Sequence, residues 1–294
     1  MTRFIATAWL RFGSIYHLQF AIAGLLALAP PQFTSGVNQV EIYASATDAR
    51  GRPVEGLGAD DFQVREDGVL QRISVFAEGD FPLSVAIAVD SSFSMTGERL
   101  AVATSAARIF LGSLRPGDQS MVMSIGGKVD VIAPLSDDRE SQFRALDRLR
   151  SWGTTSLHDA VIEAVERLQP ASGRRALIVL SDGDDRYSRA SADDVIQRAR
   201  RSDVMIYPVA LGRRMPVLFT HLATVTGGRA FHERSTRRLP ETLGAIAGEL
   251  RRQYMIGYTP SRPFVQGAGG WRDIDVRASR PGVTVRARDG YYAR

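Results

Sequence analysis

Three oxygen-bearing side chains stand at alternate positions directly after an apolar run. Asp90, Ser92 and Ser94 follow the segment L-S-V-A-I-A-V, residues 83–89. Seven mostly apolar residues rich in Val are typical of a buried strand and are too few to span a membrane as a helix. Open α/β sheets hold their ligands at the carboxyl ends of such strands. A carboxylate and two hydroxyls are hard oxygen ligands, which suit Mg²⁺ better than Zn²⁺.

A D-x-S-x-S string can also be no more than the start of a helix, because Asp and Ser cap free backbone N–H groups. Two further stretches favour a binding site. Thr155 stands just ahead of a helical pattern, and the run A-L-I-V-L-S ends in a second carboxylate at Asp182. Thr154 is the alternative to Thr155, since a shift of one residue exchanges them.

The order and spacing of these three segments resemble the von Willebrand factor A (VWA) domain and its metal-ion-dependent adhesion site. The resemblance implies Mg²⁺ as the cofactor, with Mn²⁺ or Ca²⁺ as alternatives, and no catalytic residues. In that family the aspartates act partly through water and one metal position is left for an Asp or Glu carboxylate of a protein partner. The resemblance thus implies an adhesion-type interaction module rather than an enzyme. The metal ligands it implies are Asp90, Ser92, Ser94, Thr155 and Asp182.

Strand and helix patterns alternate through residues 81–253, which predicts an α/β domain with a doubly wound, mostly parallel, Rossmann-like sheet. Residues 34–79 and 254–294 have the alternation of β-strands and are expected to pack beside each other as a small β unit, because the ends of an inserted domain commonly lie close together. Two sequence stretches in these segments, D-A-R-G-R-P-V-E-G-L and R-A-R-D-G-Y-Y, resemble the VWFA-related family of the acidobacterial type.

Residues 1–31 resemble a secretory signal, with Arg3 and Arg11 ahead of an apolar run that ends in Ala-Leu-Ala. Pro30 directly after this box, and the long basic region, leave an uncleaved membrane anchor as the alternative. Either form predicts an exported protein that is periplasmic, secreted or at the cell surface. Membrane contact is expected only through this leader.

The 294 residues contain no cysteine, which excludes disulfides, zinc–thiolate sites and cysteine nucleophiles. The net charge of +5 comes almost entirely from arginine, since Lys128 is the only lysine. The basic residues accompany no nucleic-acid motif and no interleaved aromatic residues. We therefore expect them to lie on solvated helix faces, and we expect no nucleic-acid partner. Adjacent arginines stand at Arg174–Arg175, Arg200–Arg201, Arg213–Arg214, Arg237–Arg238 and Arg251–Arg252.

A metal- or serine-dependent hydrolase in the same cleft is the main alternative function. Ser92 or Ser94 could meet His158 and Asp182 at one sheet edge. No G-x-S-x-G elbow is present, and the serines stand where the metal needs them. A nucleic-acid binder is the third hypothesis, and it predicts a steep dependence on salt.

Several other polar residues are assigned to structure. Ser156-x-x-Asp159 and Ser191-x-x-Asp194 fit helix capping boxes. Asp184 and Asp185 are expected to hydrate a loop, with one of them able to support a metal ligand. Acidic residues of the N-terminal β segment are expected to be solvated turn residues. These are Asp60, Asp61, Glu66 and Asp67.

Overall fold

The computed structural model describes residues 39–79, 81–263 and 269–293. The leader predicted at residues 1–31 lies outside them. The strands are β1 (Val40–Thr47), β2 (Phe62–Glu66), β3 (Val69–Gln71), β4 (Ile73–Gly79), β5 (Leu83–Asp90), β6 (Gln119–Ile125), β7 (Val129–Ser136), β8 (Arg174–Ser181), β9 (Val204–Ala210), β10 (Phe231–His232), β11 (Gln253–Tyr258), β12 (Trp271–Ala278), β13 (Thr284–Arg286) and β14 (Gly290–Tyr292). The helices are α1 (Glu98–Gly112), α2 (Arg139–Arg148), α3 (Leu157–Leu168), α4 (Ala192–Arg200), α5 (Val217–Thr226) and α6 (Leu239–Arg251).

The central sheet has six strands in the order β10–β9–β8–β5–β6–β7. All neighbouring pairs are parallel except β6 and β7, which form an antiparallel hairpin at one edge. Every residue of β5 is buried, because the strand lies between β6 and β8 with helices over both faces. The doubly wound, mostly parallel sheet predicted from the sequence is therefore confirmed.

Alternate side chains of β5 enter different helical layers. Val85, Ile87 and Val89 pack in a cluster with residues of α1, α2 and α6. Ala86 and Ala88 pack on the other face in a cluster with residues of α3, α4 and α5. Because residues 85–89 are apolar on both faces of the strand, Asp90 marks the carboxyl edge of the sheet.

The strands outside the central sheet form two four-stranded sheets, which we call the β flank. Their orders are β13–β1–β11–β4 and β14–β12–β2–β3, so each sheet combines strands from before and after the central sheet. Val40, Ile42, Tyr254, Ile256 and Tyr258 contribute to the core of this flank. The expected pairing of the N- and C-terminal β segments is confirmed.

Glu66 is buried, and its expected place among solvated turn residues is wrong. Phe62, Val64 and Glu66 are the three buried residues of β2, at alternate positions. The Glu66 carboxylate forms an ion pair with Arg272 at 2.7 Å and accepts hydrogen bonds from a tyrosine hydroxyl, Tyr258 Oη, at 2.8 Å. The partners come from the distant C-terminal segment, which is why the local turn pattern did not reveal them.

Helix α5 was not predicted. Its sequence, V-L-F-T-H-L-A-T-V-T, is rich in β-branched residues, which have lower helix propensity than straight-chain residues. Phe219 and Leu222 are buried against the sheet, and this packing overrides the local preference. Gly227 ends the helix in the left-handed region, with φ of 75°. No helix in the described segments has the length and apolar character needed to cross a membrane.

Candidate functional site

Asp90 lies wholly buried at the carboxyl end of β5, where the predicted site begins. Its Oδ1 atom accepts a hydrogen bond from the Ser92 backbone N–H at 2.9 Å, and Oδ2 accepts from the Ser181 hydroxyl at 2.6 Å. Both donors are neutral. Burial therefore raises the pKa of Asp90, the hydrogen bonds from Ser181 and Ser92 oppose that rise, and the nearby Asp182 carboxylate adds to it.

Ser181 was not among the predicted site residues. It is the last residue of β8, the strand that pairs with β5, and this register places it beside Asp90. Its hydroxyl also accepts from the Gly183 backbone N–H at 3.0 Å, so it joins the two strand ends. Its position directly before Asp182 at the end of an apolar run was the available signal.

Ser92 and Ser94 lie on a tight turn between β5 and α1. Their hydroxyl oxygens are 3.0 Å apart and share a hydrogen bond. The turn contains a short 3₁₀ helix, Phe93–Met95, and the fully buried side chain of Met95 packs into the core beneath α1. Ser92 is buried and Ser94 is exposed, so the pair extends from the buried carboxylate to the surface.

The threonine loop is joined to the loop after β5 by backbone hydrogen bonds. The Phe93 N–H donates to the Gly153 carbonyl at 3.1 Å, and the Trp152 N–H donates to the Ser91 carbonyl at 2.8 Å. Thr155 is buried beside these contacts, whereas Thr154 is exposed. The loop is thereby held against the serines.

The loop after β8 is the third wall of the site. Its Arg186 and Tyr187 backbone N–H groups both donate to the Thr155 carbonyl at 3.0 Å. Asp182 is half-buried, and its carboxylate accepts from the Asp184 N–H at 3.2 Å. The three predicted segments therefore meet at one sheet edge and are bonded to one another.

Residues 85–184 match the family model of the von Willebrand factor type A domain. The chain contains a VWA domain. The match begins within β5 and ends just after Asp182, so it includes all five predicted site residues.

Solved structures share the fold at low sequence identity. A von Willebrand factor type A structure from Catenulispora acidiphila has a TM-score of 0.54 at 16% identity, covering 79% of this chain and 73% of that one. Proximal thread matrix protein 1 of the mussel byssus has a TM-score of 0.53 at 16% identity, with coverage of 63% and 51%. The vWF domain of the type V pilus tip protein Mfa5 from Porphyromonas gingivalis has a TM-score of 0.50 at 12% identity, with coverage of 57% and 95%. No curated protein matches the sequence.

The donor set of the VWA site fits a hard cation. Within the described segments no three His, Cys, Asp or Glu side chains come together as a metal-binding group, so hydroxyls would have to supply much of a metal's coordination here. Two carboxylates and three hydroxyls are available from the five predicted residues. Oxygen donors without nitrogen or sulfur favour Mg²⁺, Mn²⁺ or Ca²⁺ over zinc.

The N-terminus of α3 is capped differently from the prediction. Ser156 makes no side-chain capping bond. Instead Asp185 Oδ1 accepts from the Leu157 and His158 N–H groups at 2.8 and 3.2 Å, and the Asp159 carboxylate accepts from N–H groups of the loop after β8. The predicted Ser156–Asp159 capping box is therefore wrong, and Asp185 has a structural role. The box at Ser191 and Asp194 is confirmed.

The side chains of the alternative hydrolase do not form a triad. His158 Nδ1 lies 2.9 Å from the Ala190 carbonyl oxygen, and the nearest carboxylate to pair with it is that of Asp185 at 3.7 Å. In the described segments no hydrogen bond joins His158 to Ser92 or Ser94. His158 is therefore not placed as a general base for either serine.

Proposed function

We propose that this VWA domain is a metal-ion-dependent protein-interaction module that binds an acidic partner. The contrast between its buried carboxylates carries the proposal. Glu66, Asp118 and Glu249 are at most 5% exposed, and each forms an ion pair with an arginine at 2.7, 3.3 and 2.6 Å, respectively. Asp90 is 0% exposed and has no such partner in the described part of the chain. Because burying an unpaired charge is costly, a cation from solution is the missing partner.

Five residues would hold this cation. Mg²⁺ takes oxygen ligands in octahedral geometry and, when bound, supplies a positive charge that attracts an external carboxylate. The three hydroxyls would coordinate without cancelling that charge, and Asp90 and Asp182 would leave the ion electrophilic where they act through water. An Asp or Glu side chain of the partner would complete the coordination. The proposed ligands are Asp90, Ser92, Ser94, Thr155 and Asp182.

We also propose that the protein acts outside the cytoplasm as an adhesion-type module, exported through the signal-like residues 1–31. Similarity of fold to the domain of a pilus tip protein supports an envelope or extracellular role. The proposal includes no catalysis, which is supported by the contact of His158 Nδ1 with the Ala190 carbonyl and not with a serine hydroxyl.

The arginines are assigned no nucleic-acid partner. Half of the arginines that stand in adjacent pairs form ion pairs with acidic side chains of the protein. Ion pairs of this kind are formed by Arg175, Arg200, Arg238, Arg251 and Arg252. These ion pairs support a structural role for the five arginines.

Isothermal titration of Mg²⁺ into the purified protein tests the metal site. We expect saturable binding that Asp90→Ala abolishes while the circular dichroism spectrum stays unchanged, because the side chain lies at a strand end. Asp137→Ala is the matched control, since Asp137 is an exposed carboxylate outside the site. Wild-type affinity in Asp90→Ala would show that the site is assigned to the wrong residues.

A further inference from the structure

A cavity of about 580 Å³ lies between the β6–β7 hairpin and α2. It adjoins the loops at the carboxyl ends of β5 and β6, next to the proposed metal site. We call this cavity the arginine groove. The residues that define it are Ser91, Lys128, Arg144, Arg148, Arg150 and Trp152.

The groove follows from the periodicity of its two walls. Lys128, Asp130 and Ile132 stand at alternate positions, so they face the same side of the edge strand. Arg144 and Arg148 stand four residues apart, on one face of α2. Two regular elements thus direct basic side chains into one concave surface.

The charges of the groove are unbalanced. The ammonium group of Lys128 forms an ion pair with Asp130 at 3.0 Å. Among the described residues, Arg150 donates hydrogen bonds only to the backbone carbonyls of Asp147 and Leu149. Arg144 and Arg148 are exposed and form no hydrogen bond or ion pair with the described residues. Two guanidinium groups therefore remain available to an anion, and guanidinium groups bind carboxylates in a bidentate manner.

The groove and the metal site share a wall. Ser91 stands between Asp90 and Ser92, and its carbonyl accepts the backbone N–H of Trp152 at 2.8 Å. The indole of Trp152 is 60% exposed and lies against Gly127, where an added Cβ atom would come within 3.1 Å of the ring. A chain bound at the proposed metal ion can therefore continue over the indole into the groove.

We propose that the arginine groove is a second subsite of the metal-dependent surface, and that it binds another acidic side chain of the same partner polypeptide. The proposal rests on the proposed function, because it assigns the first acidic group to the metal. Ile132 and the indole of Trp152 add apolar surface beside the cations. This combination suits an acidic polypeptide, whose carboxylates are carried on apolar stems and spaced along one chain.

The test uses a blocked decaglutamate peptide and the single residue N-acetylglutamate amide as probes, in saturating Mg²⁺. The variant is Arg144→Ser/Arg148→Ser. Its matched control is Arg72→Ser/Arg277→Ser, which removes the same charge from exposed positions of the β flank. Thermal melting of both variants checks that they fold as the wild type does.

We expect the groove variant to weaken decaglutamate binding by roughly tenfold, the sum of two modest charge contributions. Binding of N-acetylglutamate amide, which reaches only the metal, should not change. The control should bind both probes as the wild type does. Equal decaglutamate affinity in the groove variant and the control would overturn the proposal, as would absence of decaglutamate binding to the wild type.

Two further experiments distinguish a failure of the groove proposal from a failure of the proposed metal-dependent function. If EDTA and Asp90→Ala leave decaglutamate binding intact while the groove variant loses it, the metal-dependent function fails and the anion site remains. If heparin binds through the groove and decaglutamate does not, the assignment to an acidic polypeptide is overturned.

Discussion

Replacing Asp90 by asparagine separates the cost of burying its charge from the benefit of binding a cation there. The substitution keeps the size of the side chain. Its Oδ1 atom can still accept from the Ser92 N–H, and its Nδ2 group can donate to the Ser181 hydroxyl oxygen. In EDTA at pH 8 we therefore expect Asp90→Asn to be more stable than the wild type.

The magnitude follows from two opposing costs. An unpaired buried carboxylate costs several kcal/mol after relaxation of its surroundings. Replacing its two charge-assisted hydrogen bonds by neutral ones loses about 1 kcal/mol each. The difference leaves the variant about 1–3 kcal/mol more stable wherever the wild-type carboxylate is ionised.

The advantage of the variant depends on pH. Burial raises the pKa of Asp90 in the folded protein, so the folded state binds this proton more tightly than the unfolded state does. The contribution of Asp90 to stability is therefore complete below its unfolded pKa and is lost as the pH rises through the raised folded value. The gap between variant and wild type should close in acid and widen towards pH 8.

Magnesium should reverse the order of stability. A ligand at one thousand times its Kd stabilises the folded state by about 4.1 kcal/mol, which exceeds the advantage of about 1–3 kcal/mol that the variant has in EDTA. For a chain of this size that stabilisation corresponds to a rise in Tm of roughly 8–16 °C. Only the wild type should be stabilised by Mg²⁺ in this way, because the variant lacks the buried carboxylate charge.

Differential scanning calorimetry at pH 5 and pH 8, in EDTA and in Mg²⁺, measures all four conditions. Asp137→Asn serves as the control for a general effect of removing a carboxylate. A wild type that is the more stable protein in EDTA at pH 8, or an equal rise in Tm of both proteins in Mg²⁺, would contradict a buried, cation-binding carboxylate at Asp90.

Three further substitutions test other parts of the structure. Val89→Asp should abolish the folded circular dichroism signal, because it buries an unpaired charge in the central strand; a cooperative melt near the wild-type Tm would contradict this. Glu66→Gln should lower the free energy of urea unfolding by about 3–5 kcal/mol, since it leaves the buried Arg272 without its charged partner, and an unchanged midpoint would count against that ion pair. Ser181→Ala should weaken Mg²⁺ binding in calorimetry while preserving the fold, because this hydroxyl positions Asp90; unchanged affinity would exclude that positioning role.

The predicted site residues could be placed from the sequence because each lies at the end of a strand or just before a helix. The apolar runs before Asp90 and Asp182 specify where the strands end, and neighbouring parallel strands end at the same edge of the sheet. The meeting of the three loops therefore follows from sheet topology. The strand register that places Ser181 against Asp90 required the three-dimensional structure.

The wrong local predictions share one cause. Ser156 and Asp159 have the spacing of a capping box, but Asp185, from a loop 28 residues away, provides the cap of α3 instead. Helix α5 has weak local preference and is fixed by packing on the sheet. In each case a contact between residues distant in sequence outweighs a preference of at most a few kcal/mol.

Glu66 shows which part of such a long-range contact is nevertheless encoded locally. It stands in phase with Phe62 and Val64, so the alternation of β2 requires it to face the core. An ionised carboxylate in the core is stabilised by a cation, although the local sequence does not identify Arg272 as that cation. Asp90 is buried for a similar reason, since it ends a strand that is buried throughout. For Glu66 the required positive charge comes from the chain itself, and for Asp90 we infer that it comes from a bound metal ion.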